Sequence, residues 1–290
     1  MVSDEPRFGP AGVPPYFRAI GAELVDVPKL LREEGLNAFE YQASRWGQKP
    51  QIQQEMAGML GSEAKKHDVV LSMHGSYFIN LLGKDEIVQA SKRRLVACAT
   101  AAQWMDAYVV VFHLGYYGQM LKSEALRKSV DALNDVIATM DSLGIRGVKL
   151  GPETMGKHTQ FGKLEEILTL CQEVDRTQLV LDWSHIHARG MGLLKRVEHF
   201  RTIVEEIERQ LGPKAARDMH CHFSKIEFTD KGERRHHSLD ETNFGPDFGA
   251  LAEILIEFRL KPVIICETPL LDIDAMKMQG IFVETKNRLK

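Results

Sequence analysis

Hydrophobic positions along the chain fall into two alternating periods. Short apolar runs rich in β-formers occupy Arg7 to Gly9, Ala38 to Tyr41, Val69 to His74, Tyr108 to His113, Gly147 to Leu150, Leu179 to Asp182, Met219 to Phe223 and Val263 to Glu267. Each reads as a strand. Between them the period changes to that of a helix: Leu126, Val130, Leu133, Ile137 and Met140 recur at steps of 4, 3, 4 and 3, and Leu194, Val197, Val204, Ile207 and Leu211 share a face. Gly144 and Gly212 stand where helix ends favour a left-handed residue. Eight strands in alternation with helices predict an α/β fold, a (β/α)8 TIM barrel, with residues 1–290 as one domain. A doubly wound open sheet gives the same alternation but gathers its site near one switch point. The stretch Lys231 to Pro246 is polar and charged and reads as the long loop after the seventh strand.

Six of the runs stop on, or reach, a residue that binds metals: Met73-His74, Phe112-His113, Pro152-Glu153, Leu181-Asp182, Met219-His220 and Cys266-Glu267. The carboxyl ends of barrel strands converge, so these side chains would meet in one pocket, and their spread over most strands favours the barrel over the open sheet. His185 lies three residues beyond Asp182. An unpaired Asp or Glu is costly in a strand of Val, Ile and Leu, so Asp182 and Glu267 call for a cation or a partner. His222 shares a strand face with His220, where it reads as a supporting group. His236 and His237 sit in the charged loop, His67, His158, His187 and His199 read as surface or helix residues, and Cys221 and Cys266 should point away from the pocket.

Composition adds constraints. A 290-residue chain that is 44% hydrophobic can bury a full core, and its net charge of -3 supplies no global basic field. A polyanionic partner would have to meet local charge, and Arg45, Lys49, Lys157, Arg189, Lys231, Arg234 and Arg235 all fall in carboxyl-end loops. The four Cys form no Cys-x-x-Cys pair, and no apolar run nears the ~20 residues that span a bilayer. A cytoplasmic protein with no membrane segment and reduced thiols is expected.

The segments His74-Gly-Ser-Tyr-Phe-Ile-Asn80, Phe112-His-Leu-Gly115, Pro152-Glu-Thr-Met-Gly156 with Gln160-Phe-Gly162, Asp182-Trp-Ser-His185, His220 to Lys225, His236-His-Ser-Leu239 and Glu267-Thr-Pro269 are collinear with the endonuclease IV family. The chain resembles a short archaeal and bacterial type of these apurinic/apyrimidinic endonucleases. The resemblance implies a zinc-dependent hydrolase of DNA repair that binds double-stranded DNA with abasic sites and cuts the phosphodiester 5′ to the lesion, leaving a 3′-hydroxyl. It implies Glu153 as a carboxylate between two metals, His74 and His113 on one, and Asp182, His220 and Glu267 on the other. His185 and His236 would hold a third. Zn2+ is the expected metal, with Mn2+ as the other candidate. Arg45, Trp46, Tyr77 and Phe78 occupy the loops expected to meet DNA, and a monomer is expected. The family's third site carries an Asp two residues before the second His; here that position is Arg234, with Glu233 one place off. Arg234 is therefore a candidate for catalytic positive charge toward a phosphate.

Two rival readings follow from the same residues. A sugar isomerase or epimerase on a xylose-isomerase-like barrel needs one divalent metal, which Glu153, Asp182, His220 and Glu267 would satisfy, but has no use for the further imidazoles His74, His113, His185 and His236. A non-catalytic DNA-binding protein lacking the third metal is the other, motivated by Arg234.

Overall fold

The computed structural model describes residues 5–290; residues 1–4, part of the polar N-terminal stretch, lie outside the described residues. Among the described residues ten strands are present: β1 (Arg7–Pro10), β2 (Ala38–Gln42), β3 (Val70–His74), β4 (Val109–Phe112), β5 (Lys149–Pro152), β6 (Val180–Asp182), β7 (His220–Phe223), β8 (Lys225–Thr229), β9 (Gly232–His237) and β10 (Val263–Cys266). Eight of them form the barrel as two parallel arcs, β2-β3-β4-β5 and β1-β10-β7-β6. Isolated bridges close the two seams, Ala11 to Glu40 at one and Leu150 to Thr177 and Glu153 to Val180 at the other. At the first seam a Cβ on Gly9 would lie 1.7 Å from the Ala38 carbonyl oxygen, so only glycine lets β1 approach β2 there. The fifth strand runs two residues later than its apolar run suggests, because Pro152 and the bridge at Glu153 carry the pairing on to Glu153.

Pleat alternation sorts the barrel residues into two populations. Phe39, Leu71, Val110, Phe112, Leu181, Cys221, Phe223 and Ile264 face outward and belong to one large apolar cluster with the helices. Each such side chain contributes roughly 1.5–3 kcal/mol on burial. Among the inward-facing residues, Val109, Val111 and Val180 form a separate small cluster inside the barrel. Ala38 and Ile265 also face inward, but much of the interior is polar: Glu40, Ser72, His74, Glu153, Asp182, His220 and His222 are all buried.

The helices that follow the strands include Lys122–Ser142 and Val197–Leu211, built on the two periodic faces noted above, and Gly144 and Gly212 after them have φ of +73° and +85°. No described helix is long and apolar enough to cross a membrane, and the four cysteines are free thiols. Of the expected loop Lys231 to Pro246, the first part, Gly232–His237, is strand β9, antiparallel to β8; the rest, 238–246, is irregular. The charged sequence of β9 hid this, since the hairpin's apolar contacts, buried Ile226 and Phe228 against His187, come from β8 alone. Within the hairpin Glu227 pairs with Arg235 and Phe228 with Glu233, leaving Arg234 as the extra residue of a β-bulge.

Candidate metal centre

The strand ends deliver carboxylates and imidazoles to one point at the carboxyl mouth. Glu153, following β5, is central: its Oε2 lies 3.1 Å from His113 Nε2 and 3.6 Å from His74 Nε2. Its Oε1 lies 3.0 Å from His222 Nδ1 and 3.5 Å from His185 Nδ1. His222 Nδ1 is also 3.3 Å from Glu267 Oε1. Two groups with ligand atoms close enough to share an ion result, His74-His113-Glu153 and Glu153-Asp182-His222-Glu267, with Glu153 common to both.

Backbone and side-chain partners aim these groups. His74 Nδ1 meets the Gly75 carbonyl at 2.9 Å and His185 Nδ1 the Thr154 carbonyl at 2.9 Å. A carbonyl only accepts, so those nitrogens carry the hydrogens, and in the neutral ring Nε2 is the nitrogen with the free lone pair. Asp182 caps the helix Trp183–Arg189, its Oδ1 accepting from the His185 N–H at 2.9 Å. Its Oδ2, like Glu153 Oε2, is buried with no hydrogen-bond partner. Two orphaned carboxylate oxygens facing imidazole nitrogens fit a bound cation, which satisfies acceptors where no donor is supplied. Burial and the neighbouring Glu153 and Asp182 push Glu267 up to about 8, against the opposing pull of His222. For Glu153 burial acts upward too, but His222, His113 and His185 outweigh it and hold the carboxyl well below its usual range. Mixed imidazole and carboxylate donors of this kind suit zinc, with manganese close behind.

His185 and His236 also come together, ring centroids 5.7 Å apart. His236 Nδ1 is 2.7 Å from Ser224 Oγ. The third partner is Glu233, whose Oε2 is 3.1 Å from His185 Nε2 and accepts from the Gly156 N–H at 3.1 Å. A Cβ at Gly156 would sit 2.3 Å from that oxygen, so glycine makes the room. The bulge at Arg234 puts Glu233 on the same side as His236, which an ordinary strand would forbid at three residues' separation.

Three expectations are corrected. His220 is not at the mouth: Val180 pairs with His220 and Asp182 with His222, so His222 stands level with the carboxylates and His220 one inward layer below. Arg234 turns away from the cluster, 66% exposed and 2.6 Å from Glu227 Oε1, so it does not aim its charge at a phosphate there. Trp46 is 6% exposed and packs edge-on against Tyr41, so it is a core residue and offers no surface to DNA. Two residues of the helix Trp183–Arg189 also have structural work: Arg189 donates to the carbonyls of Met155, Lys157 and Gln160, and His187 is buried, its Nδ1 accepting from Leu194 N–H. Arg45 is exposed on the rim, and Tyr77 and Phe78 are each 56% exposed. The Tyr77 ring lies over His74 and His113, with centroids 5.3 and 5.7 Å away.

Sequence reasoning missed Glu40 and placed Glu233 outside the cluster. Glu40 interrupts the apolar run Ala38-Phe-Glu-Tyr just as Asp182 interrupts its own, so the same argument from the cost of a buried charge applies to it. Glu40, His220 and His222 form a further buried cluster beneath the mouth.

Similarity to known proteins agrees with this architecture. A relative from Methanocaldococcus jannaschii, named only as an uncharacterized protein, is 34% identical over 282 residues, spanning 96% of this chain and 97% of its own. A probable endonuclease 4 from Mycoplasma pneumoniae is 27% identical over 208 residues, 68% of this chain and 67% of the relative. The crystal structure of a D-tagatose 3-epimerase-like protein matches with a TM-score of 0.67 at 19% identity, covering 92% of this chain and 97% of that one, a likeness of fold alone. Residues 28–279 match the xylose isomerase-like TIM barrel description, and with the strand order and closure described above the chain belongs to that family.

Proposed function

We propose that this protein is a metal-dependent endonuclease of DNA repair, hydrolysing the phosphodiester 5′ to an abasic site in double-stranded DNA and leaving a 3′-hydroxyl. The observation that carries the reading is Glu153, a buried carboxylate faced by His74 and His113 on one side and by Asp182, His222 and Glu267 on the other. One metal does not need that many donors. Zinc ions held there would supply a hydrolytic nucleophile at neutral pH and neutralise charge on the departing oxygen. The chain's own part is to hold that donor set rigid: Gly75 and Thr154 carbonyls fix two imidazoles, and the Asp182 cap fixes a carboxylate. His185, Glu233 and His236 form a third donor group. At the rim, Tyr77 and Phe78 present aromatic faces that suit stacking beside a missing base, and Arg45 supplies local positive charge. The 27% identical endonuclease 4 relative supports the same substrate class.

A ketose epimerase is the second reading, favoured by one observation: Glu153, Asp182, His222 and Glu267 by themselves form a one-metal set. Incubation with a duplex bearing a single tetrahydrofuran abasic site, with and without chelator, separates the two. Metal-dependent nicking on the 5′ side is expected. Epimerisation of a free ketose with intact duplex would overturn the proposal, and tight duplex binding without nicking would leave a DNA-binding protein.

A further inference from the structure

Beneath the mouth, the barrel interior holds a buried carboxylate that the hydrolytic chemistry does not use. Glu40 on β2 is inaccessible to solvent, and four donors converge on it. Ser72 Oγ donates to its Oε2 at 3.0 Å and Gln42 Nε2 to its Oε1 at 3.1 Å. His220 Nε2 and His222 Nε2 each lie 3.2 Å from Oε2. His220 Nδ1 in turn is 2.6 Å from the Tyr108 hydroxyl. A TIM-barrel interior is normally filled by Val, Ile and Leu, and β4 does supply Val109 and Val111. A charge there costs several kcal/mol unless every oxygen is used, and this one is fully used.

With a cation held on the Glu153 side of the His222 ring, the donors and acceptors close in one direction. Glu40 accepts and cannot donate, so the hydrogens between it and the two rings sit on His220 Nε2 and His222 Nε2. His220 Nδ1 is then an acceptor for the Tyr108 O–H. His222 Nδ1, on the far side of its ring, is 3.0 Å from Glu153 and 3.3 Å from Glu267. We propose that Glu40 is a positioning residue for the metal centre: it holds the His222 Nε2–H from below, so that the Nδ1 lone pair faces the ion shared with Glu153, Asp182 and Glu267. Carboxylates behind metal-bound imidazoles do this generally, and their loss typically costs 10–100-fold in metal affinity. In Glu40→Gln the side chain keeps its shape, but its amide can meet His222 Nε2 as a donor, which allows the ring to place its hydrogen on Nδ1 instead.

The inference rests on the metal-centre reading, and the test distinguishes failure of one from failure of the other. Zinc affinity would be measured by chelator competition on stripped, refolded wild type, Glu40→Gln and Tyr108→Phe. Wild type should bind zinc tightly, Glu40→Gln 10–100-fold more weakly, and Tyr108→Phe, which keeps the Glu40–His222 pair, within about threefold. Tight binding by wild type with unchanged affinity in Glu40→Gln overturns this inference alone. Absence of tight zinc in wild type removes the metal centre and the inference with it. Should Glu40→Gln fail to fold, nitrogen-15 imidazole spectra of zinc-loaded wild type decide: His222 with metal on Nδ1 and hydrogen on Nε2 supports positioning. Metal on Nε2 would instead mean that an ion occupies the Glu40-His220-His222 cluster, and would overturn it.

Discussion

Asp182 divides its two oxygens between structure and site, one capping a helix and the other buried without a donor. A charged residue ending an apolar strand is visible in sequence because its burial demands an explanation, which is why Glu153, Asp182 and Glu267 were legible. The choice between His220 and His222 was not. Both face inward, and only the pairing of Asp182 with His222 fixes which one is level with the carboxylates. The two histidines should therefore separate in experiment. His222→Asn is expected to lose bound metal with at least a tenfold fall in affinity. His220→Asn should keep its metal but lose about 1–3 kcal/mol of stability by disturbing the Tyr108 and Glu40 bonds. Elemental analysis and denaturant unfolding on the same preparations read both, and metal loss in His220→Asn with retention in His222→Asn would reverse the assignment.

At the scale of elements, the eight barrel strands and the two strongest helices followed from hydrophobic period alone. The hairpin β8–β9 did not, since its apolar side is short, Ile226 buried and Phe228 edge-on to His187, and much of its support is cross-strand pairing and contacts such as Glu233 with His185. Its bulge exchanges two neighbours: Glu233 goes in and Arg234 goes out. Arg234→Ala should leave activity within about twofold and stability within about 0.5 kcal/mol, as for an exposed ion pair. Glu233→Ala should lower activity at least tenfold and weaken the third donor group; equal effects of the two changes would contradict this placement. A second prediction concerns helix Val27–Glu33. Glu34 follows its carboxyl end, where the helix dipole opposes an anion, and partial burial beside Asp272 raises it from 4.5 to about 7. A raised carboxyl favours the fold below pH 4.5, and that advantage is lost as pH climbs through 7. Glu34→Gln should then stabilise the protein by about 1 kcal/mol at pH 8 and leave it unchanged at pH 4.5, allowing for the group's exposure. Denaturant midpoints at the two pH values check it.

For the whole molecule, the barrel works as a stack of inward layers: valines and the Glu40 network below, the donor ring level with Glu153 above, and the aromatic rim of Tyr77 and Phe78 at the surface. The strand alternation that builds these layers was legible from the sequence, but which layer a residue enters depends on register between strands far apart in the chain. The fold itself is shared with an epimerase-like protein, so the donor count at the mouth decides the chemistry. Crystals of the metal-loaded protein measured on both sides of the zinc absorption edge would count the ions and show their ligands. At least two ions are predicted, with Glu153 between them and His222, not His220, bound to one; a single ion held by Glu153, Asp182, His222 and Glu267, with His74 and His113 unbound, would contradict the account.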